Sequence, residues 1–156
     1  MIVHLHRTIA STMVLCAALL IGGVYADDRQ GDVQGQTAMA RPSSMLTAAG
    51  KPDRLEFDFG GTKAWLRENG NWHIEGPVPH QGLLCATRTL SVRFGIGNPG
   101  CTKVHWLSEF DDGSSVKQCN NATAWHNGGG FLSALQPDYT RITCAERAIQ
   151  CSGNCK

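Results

Sequence analysis

The sequence lacks clustered positive charge, and this argues against two classes of partner. No two of its 14 Lys and Arg residues are adjacent. Without Arg7, which belongs to a predicted export signal, 13 basic residues face 13 Asp and Glu, so the remaining chain has no formal net charge. Nucleic acids and anionic membrane surfaces both select for clustered basic residues. Neither is therefore an expected partner.

The sequence has only one long apolar run. From Ile9 to Val24 this run is interrupted only by Ser, Thr and Gly, and it ends at a small-residue cleavage site before Asp27. The pattern predicts a secretory signal peptide over 1–26. The alternative is a transmembrane anchor, which needs about 20 apolar residues, and the run is short for one. We expect a secreted or periplasmic mature chain with no membrane span after signal cleavage.

Common motifs of catalytic and metal sites are also missing. There is no Gly-x-Ser-x-Gly segment, and Gly128-Gly129-Gly130 lacks the lysine of a phosphate loop. No Cys-x2-Cys pair provides the spacing of zinc ligands. Asp111-Asp112-Gly113 supplies too few oxygens for Ca²⁺ and is more typical of a turn. We predict no metal ion and no cofactor.

The cysteines that remain after signal cleavage form an even set. Six of the seven lie in the mature chain: Cys85, Cys101, Cys119, Cys144, Cys151 and Cys155. Such a set in a small exported chain predicts three disulfides. Cys85 and Cys101 should not pair with each other, because a predicted strand about 30 Å long separates them and the turn after it spans only about 14 Å. Their expected partners are Cys119 and the C-terminal cysteines.

Short apolar/polar alternations indicate an all-β fold. From Leu90 to Ile96 every second residue is apolar, which is typical of a strand with one buried face. Seven or eight such strands predict a small disulfide-stapled antiparallel β-sandwich or barrel over 54–156. The segment 27–53 has no regular period and is predicted to be a flexible leader, with a short helix over 43–49 as the alternative.

Turn signals suggest where the strands end. Asn69-Gly70 predicts a two-residue hairpin turn that places Trp65 opposite Ile74, with both on one core-facing side. The prolines of 76–82 and the glycines of 126–130 predict connections rather than strands. The last long strand is expected to begin at Tyr139.

Two His–Glu pairs are candidates for acid–base catalysis. His73 and Glu75 alternate on one strand, and His105 and Glu109 share a parity further along the chain. Histidine titrates near neutrality and a carboxylate can orient it, so either pair is consistent with a small secreted hydrolase. The alternative interpretation is an ordinary solvated sheet face.

One predicted loop offers a binding surface. Trp125-His126-Asn127 precedes three glycines, and a glycine-rich loop rarely covers a neighbouring indole completely. An exposed Trp beside His and Asn provides stacking and hydrogen bonds for a sugar ring or a partner protein. The alternative is that Trp125 folds back to plug one end of the core.

Small size, disulfides, balanced charge and missing catalytic motifs together favour binding over catalysis. The first hypothesis is an exported binding module: an inhibitor, an adhesin-like domain, or a domain that binds an extracellular or periplasmic protein or glycan. The rival hypothesis is the small secreted hydrolase. Convergence of His and carboxylate side chains in one cleft would favour the enzyme, and an aromatic patch with scattered histidines would favour binding.

Overall fold

Two antiparallel sheets form the protein in the computed structural model, which describes residues 34–42 and 52–155. The strands are β1 (Gln34–Met39), β2 (Arg41–Pro42), β3 (Arg54–Asp58), β4 (Lys63–Arg67), β5 (Asn71–Pro79), β6 (Ala86–Gly97), β7 (Val104–Trp106), β8 (Asp111–Gln118), β9 (Thr123–Phe131) and β10 (Cys144–Gly153). A 3₁₀ helix covers Ser133–Arg141. The all-β, disulfide-containing class is confirmed, with ten strands in the described residues where seven or eight were predicted.

Sheet A is organised around β6. One side of β6 pairs with β10, and the other side pairs with β8 and then with β7. β1 pairs with β10 at the outer edge. Leu90, Val92 and Phe94 are fully buried, as the alternation of β6 predicted, whereas Ile96 is half-buried and Ser91 on the opposite face is fully buried as well.

Sheet B has the order β2-β3-β4-β5-β9. Its inner face shares one apolar core with sheet A, and the rings of Phe57 in β3 and Phe94 in β6 lie 5.5 Å apart. β5 continues through 76–79 and β9 through 126–130, so the connection predicted over 76–82 is found only after Pro79, and the one predicted over 126–130 is a strand. Pro77 and Pro79 lie beyond the last β4 pair, at Glu75, on a stretch with one free edge where a sheet tolerates proline.

The β4–β5 hairpin differs by one residue from its predicted register. Trp65 pairs with His73, because the turn has three residues rather than two. Gly70 takes a φ of +84°, and its N–H donates to the carbonyl of Arg67. This is a three-residue loop with a left-handed glycine. A one-residue slip reverses the faces of β4 relative to β5, so Trp65 lies on the outer side, while Ile74 is buried as predicted.

Two strands lie inside the predicted leader. β1 pairs with β10 and β2 with β3, so the prediction of an unstructured 27–53 is wrong for 34–42. The sequence of β1, Gln-Gly-Gln-Thr-Ala-Met, has no apolar alternation that would predict a strand. Pairing with β10 makes this segment a strand. The signal peptide at 1–26, the rest of the leader and the short helix over 43–49 lie outside the described residues.

Two further boundaries differ from the sequence prediction. Asp111-Asp112-Gly113 begins β8 instead of forming a turn, and Gly113 falls at a register shift where β8 bulges against β6. Tyr139 belongs to the 3₁₀ helix, and the last strand begins at Cys144.

All six cysteines in the described residues form disulfides. The pairs are Cys85–Cys119, Cys101–Cys144 and Cys151–Cys155. The prediction that Cys85 and Cys101 do not pair with each other is confirmed. Their partners, Cys119 and Cys144, belong to the expected set, and the last two cysteines pair with each other. Three disulfides indicate an oxidising environment such as the extracellular space. No helix within the described residues is long and apolar enough to cross a membrane.

Candidate functional site

The outer face of sheet B brings together residues that the sequence placed in two separate hypotheses. Strand pairing puts Trp65, His73 and Gly129 in one row across the sheet, and Lys63, Glu75 and Asn127 in the next. Trp125 follows one row further on, opposite Pro77. We call this surface the outer face. Its members used below are Arg54, Glu56, Asp58, Lys63, Trp65, His73, Glu75, Trp125 and Asn127.

A cleft of about 410 Å³ opens on the β3–β5 side of the outer face. It is lined by Arg54, Glu56, Phe57, Asp58, Lys63, Trp65 and Glu75. The charges are mixed, and the Nε atom of Arg54 donates to Glu56 at 2.7 Å. The cleft therefore offers hydrogen-bond donors and acceptors beside an indole, with two basic and three acidic side chains.

His73 lies between Trp65 and Glu75 in the outer face. Its ring stacks on Trp65, with centroids 5.2 Å apart and planes at 17°. Its Nε2 atom lies 3.6 Å from Oε2 of Glu75, too far for a good hydrogen bond. The guanidinium of Arg67 lies 5.3 Å from the Trp65 ring. The predicted sharing of one face by His73 and Glu75 is confirmed, and Trp65 is the aromatic neighbour that the register error missed.

The side chain of Trp125 projects into solvent. It is 64% exposed, and no ring contact or hydrogen bond engages its indole within 34–42 and 52–155. The alternative in which Trp125 plugs the core is therefore wrong. Asn127 is exposed on the same side of β9, opposite Glu75. A regular strand, rather than the predicted loop, holds Trp125 and Asn127 in place.

His126 points away from this surface, because neighbours in a strand alternate between faces. It is fully buried: its Nδ1–H donates to the carbonyl of Ser114 at 3.2 Å, and Nε2 accepts from the amide nitrogen of Gln118 at 2.8 Å. Its predicted part in a binding surface is wrong. Its hydrogen bonds instead join β9 to β8.

Burial lowers the pKa of His126 below its ordinary value near 6.5. In the unfolded chain the ring takes up a proton as pH falls through about 6.5, while the folded protein resists protonation. Stability should therefore be complete above that pH and decline below it, by no more than about 1.4 kcal/mol per pH unit from this group.

Urea unfolding at neutral and mildly acidic pH measures this effect. His126→Gln should flatten the decline, even though it lowers stability overall. The exposed His105 supplies the matched control, and His105→Gln should keep the wild-type pH dependence. Equal pH dependence in all three proteins would show that His126 is not the responsible group.

The second His–Glu pair is not held together by one strand. β7 ends at Trp106, so the alternation that linked His105 to Glu109 stops between them. His105 is exposed on sheet A, opposite Ile96, and Glu109 is exposed before β8. The remaining histidines are also dispersed, with His80 and His126 both buried.

Lys63 and the β3 carboxylates of Glu56 and Asp58 line the cleft, and none of them was predicted from the sequence to belong to a site. The only sequence signal for them was the polar half of each strand's alternation, which every half-buried strand shows. No group of three or more His, Cys, Asp or Glu side chains in the described segments is arranged to hold a metal ion. No family model, curated protein or solved structure matches this chain.

Proposed function

We propose that this protein is an exported carbohydrate-binding module and that its ligand lies on the outer face of sheet B. The observation that carries the proposal is the exposed indole of Trp125, one row from the Glu75–Asn127 pair. A sugar ring has an apolar C–H face that packs on an indole, and hydroxyl groups that bond to carboxylate and amide side chains. Trp125, Glu75 and Asn127 supply these groups side by side.

The dimensions of the outer face favour an extended oligosaccharide over a single sugar. Trp65 and Trp125 stand two strands and four residues apart, about 16 Å by strand geometry. The cleft at Trp65 and the indole of Trp125 are thus two separate contact points. The cleft is lined by one more acidic than basic side chain, which favours a neutral ligand over a polyanion.

Replacing Trp125 by alanine should weaken oligosaccharide binding about 10-fold or more, the loss typical of a binding-site aromatic. The melting temperature should stay within a few degrees of wild type, because the side chain is exposed. Calorimetric titration with neutral α- and β-linked oligosaccharides measures the affinity. Trp125→Phe should retain most of the binding.

Phe131 supplies the matched control for this experiment. It is 60% exposed and lies at the other end of the same strand, so Phe131→Ala should bind as wild type does. Failure of the wild-type protein to bind any oligosaccharide would contradict the proposal. So would equal losses from Phe131→Ala and Trp125→Ala.

The contact between His73 and Glu75 at the rim of the cleft favours hydrolysis as the second candidate function. Catalysis there would shorten the same oligosaccharides over time. Sugar release that disappears in Glu75→Gln would assign the cleft to a hydrolase, whereas binding without release would support the binding module.

A further inference from the structure

The loop between β5 and β6 presents two adjacent leucines to solvent. Leu83 is 75% exposed and Leu84 is 63% exposed. Within residues 34–42 and 52–155, Trp125 is the one other large apolar side chain with a comparable exposure above that of Phe131. No charged side chain occurs from 76 to 87. Adjacent exposed leucines in an uncharged segment are unusual on a protein surface and indicate a contact site.

This loop is anchored on both sides of the leucines. Before them, the N–H of Gly82 donates to Oδ1 of Asn121 at 2.6 Å, and the N–H of Asn121 donates to the carbonyl of Gly82 at 2.9 Å. After them, Cys85 forms its disulfide with Cys119. The carbonyl of Leu84 accepts from Nε2 of the buried His80 at 2.8 Å.

His80 is itself held in one orientation. Nε of Arg88 donates to its Nδ1 at 3.4 Å, so the Nε2–H of His80 is the donor to Leu84. The N–H and carbonyl of Leu83 and the N–H of Leu84 have no hydrogen-bond partner within the described residues. The peptide unit between the leucines is therefore open, while the groups on either side are fixed.

We propose that residues 81–84 form an inhibitory loop that docks in the substrate cleft of a serine endopeptidase with an apolar specificity pocket. Such a cleft recognises an exposed main-chain segment by strand-like hydrogen bonds and one side chain by its pocket. The segment at Leu83–Leu84 offers both. Because the loop is fixed before binding, little conformational entropy is lost on docking.

The anchors also explain why the loop acts as an inhibitor rather than as a substrate. Hydrolysis of the Leu83–Leu84 bond consumes one water and leaves a carboxylate on Leu83 and an amine on Leu84. Both new ends remain tied to the protein, one through Gly82 and the other through His80 and the disulfide. The products therefore stay in place in the cleft.

A lipid surface is the rival occupant for exposed leucines. The loop has no basic side chain to attract anionic headgroups, and two leucines bury too little area for stable anchoring on their own. Its fixed main chain is a further argument for a protein partner, since lipid insertion needs no such order.

Inhibition assays with the disulfide-intact protein test the proposal directly. Chymotrypsin and subtilisin, which have apolar pockets, should be inhibited in proportion to added protein, and trypsin should not be. Leu83→Asp and Leu84→Asp should each weaken inhibition at least about 30-fold. Phe131→Asp is the control, because Phe131 is exposed at the far end of β9, outside the loop, and its replacement should leave inhibition unchanged.

The anchoring has its own variant pair. Asn121 has a φ of +53°, a left-handed conformation that glycine adopts readily, so Asn121→Gly removes its side-chain oxygen without backbone strain, while Asn121→Asp keeps an acceptor. We expect Asn121→Gly to be cleaved faster at the loop than wild type or Asn121→Asp. Absence of inhibition, rapid wild-type cleavage, or inhibition that survives both leucine variants would overturn the proposal. Leucine-dependent binding to neutral lipid vesicles without peptidase inhibition would also overturn it.

Discussion

Replacing Cys101 and Cys144 together by alanine should lower the free energy of unfolding by about 4 kcal/mol. The disulfide joins residues 43 positions apart, and its loss frees a long loop in the unfolded chain. It fastens the turn after β6 to the start of β10, the partner strand of β6. Both cysteines are buried, so the truncated side chains add a packing loss to the entropic effect.

The other two disulfides provide the comparison. Cys151 and Cys155 are 4 positions apart, and removing that bridge should lower stability by only about 2 kcal/mol. Cys85–Cys119 closes 34 positions and should come close to the first pair. Urea unfolding of the three double variants at one pH measures the order. A loss from the Cys151–Cys155 variant as large as that from the Cys101–Cys144 variant would contradict the loop-length explanation.

The sequence was most informative where the argument depended on chain reach. A long strand keeps its two ends apart whatever its partners are, so Cys85 and Cys101 were excluded as a pair without knowledge of the fold. The buried face of β6 followed from its own alternation in the same way. Each of these inferences depends on local geometry alone.

The turn residues Asn69-Gly70 did not determine the register of the β4–β5 hairpin. Asn69-Gly70 is compatible with a two-residue turn and with a three-residue loop, and both use a glycine with positive φ. The two turns differ by one residue in register, which reverses the faces of β4 relative to those of β5. This is why Trp65 was assigned to the core and is found on the outer face.

The candidate site depends on pairing that no local pattern reports. Glu75 and Asn127 are far apart in sequence and become neighbours only because β9 pairs with β5. The glycines of β9 indicated a loop. In the structure, Gly128 and Gly129 lie so close to the backbone of Gly113 and Trp72 that a larger residue would not fit. The sequence therefore identified Trp125 and Asn127, and separately His73 and Glu75, but not their common surface.

The closest of these backbone approaches gives the second large prediction, that Gly128→Ala should lower the free energy of unfolding by about 3 kcal/mol or more. A Cβ atom at residue 128 would overlap the carbonyl group of Gly113 in β8. Both are backbone positions, so no side chain can rotate to make room. β9 is held by β5 and β8 by β6, so relief of the overlap must separate strands of the two sheets.

Gly35 in β1 is the matched control for this substitution. A Cβ there meets the carboxylate of Glu146, which is paired with Arg93 but can still turn because it is a side chain, so Gly35→Ala should lower stability by about 1 kcal/mol, less than Gly128→Ala does. Chemical unfolding of both variants, with soluble yield as a second measure, tests the difference. Wild-type stability in Gly128→Ala would mean that β8 and β9 do not meet at these glycines. Trp125 and Asn127 lie in the same strand as Gly128. The contact between β8 and β9 would then not explain how these two side chains are held in place.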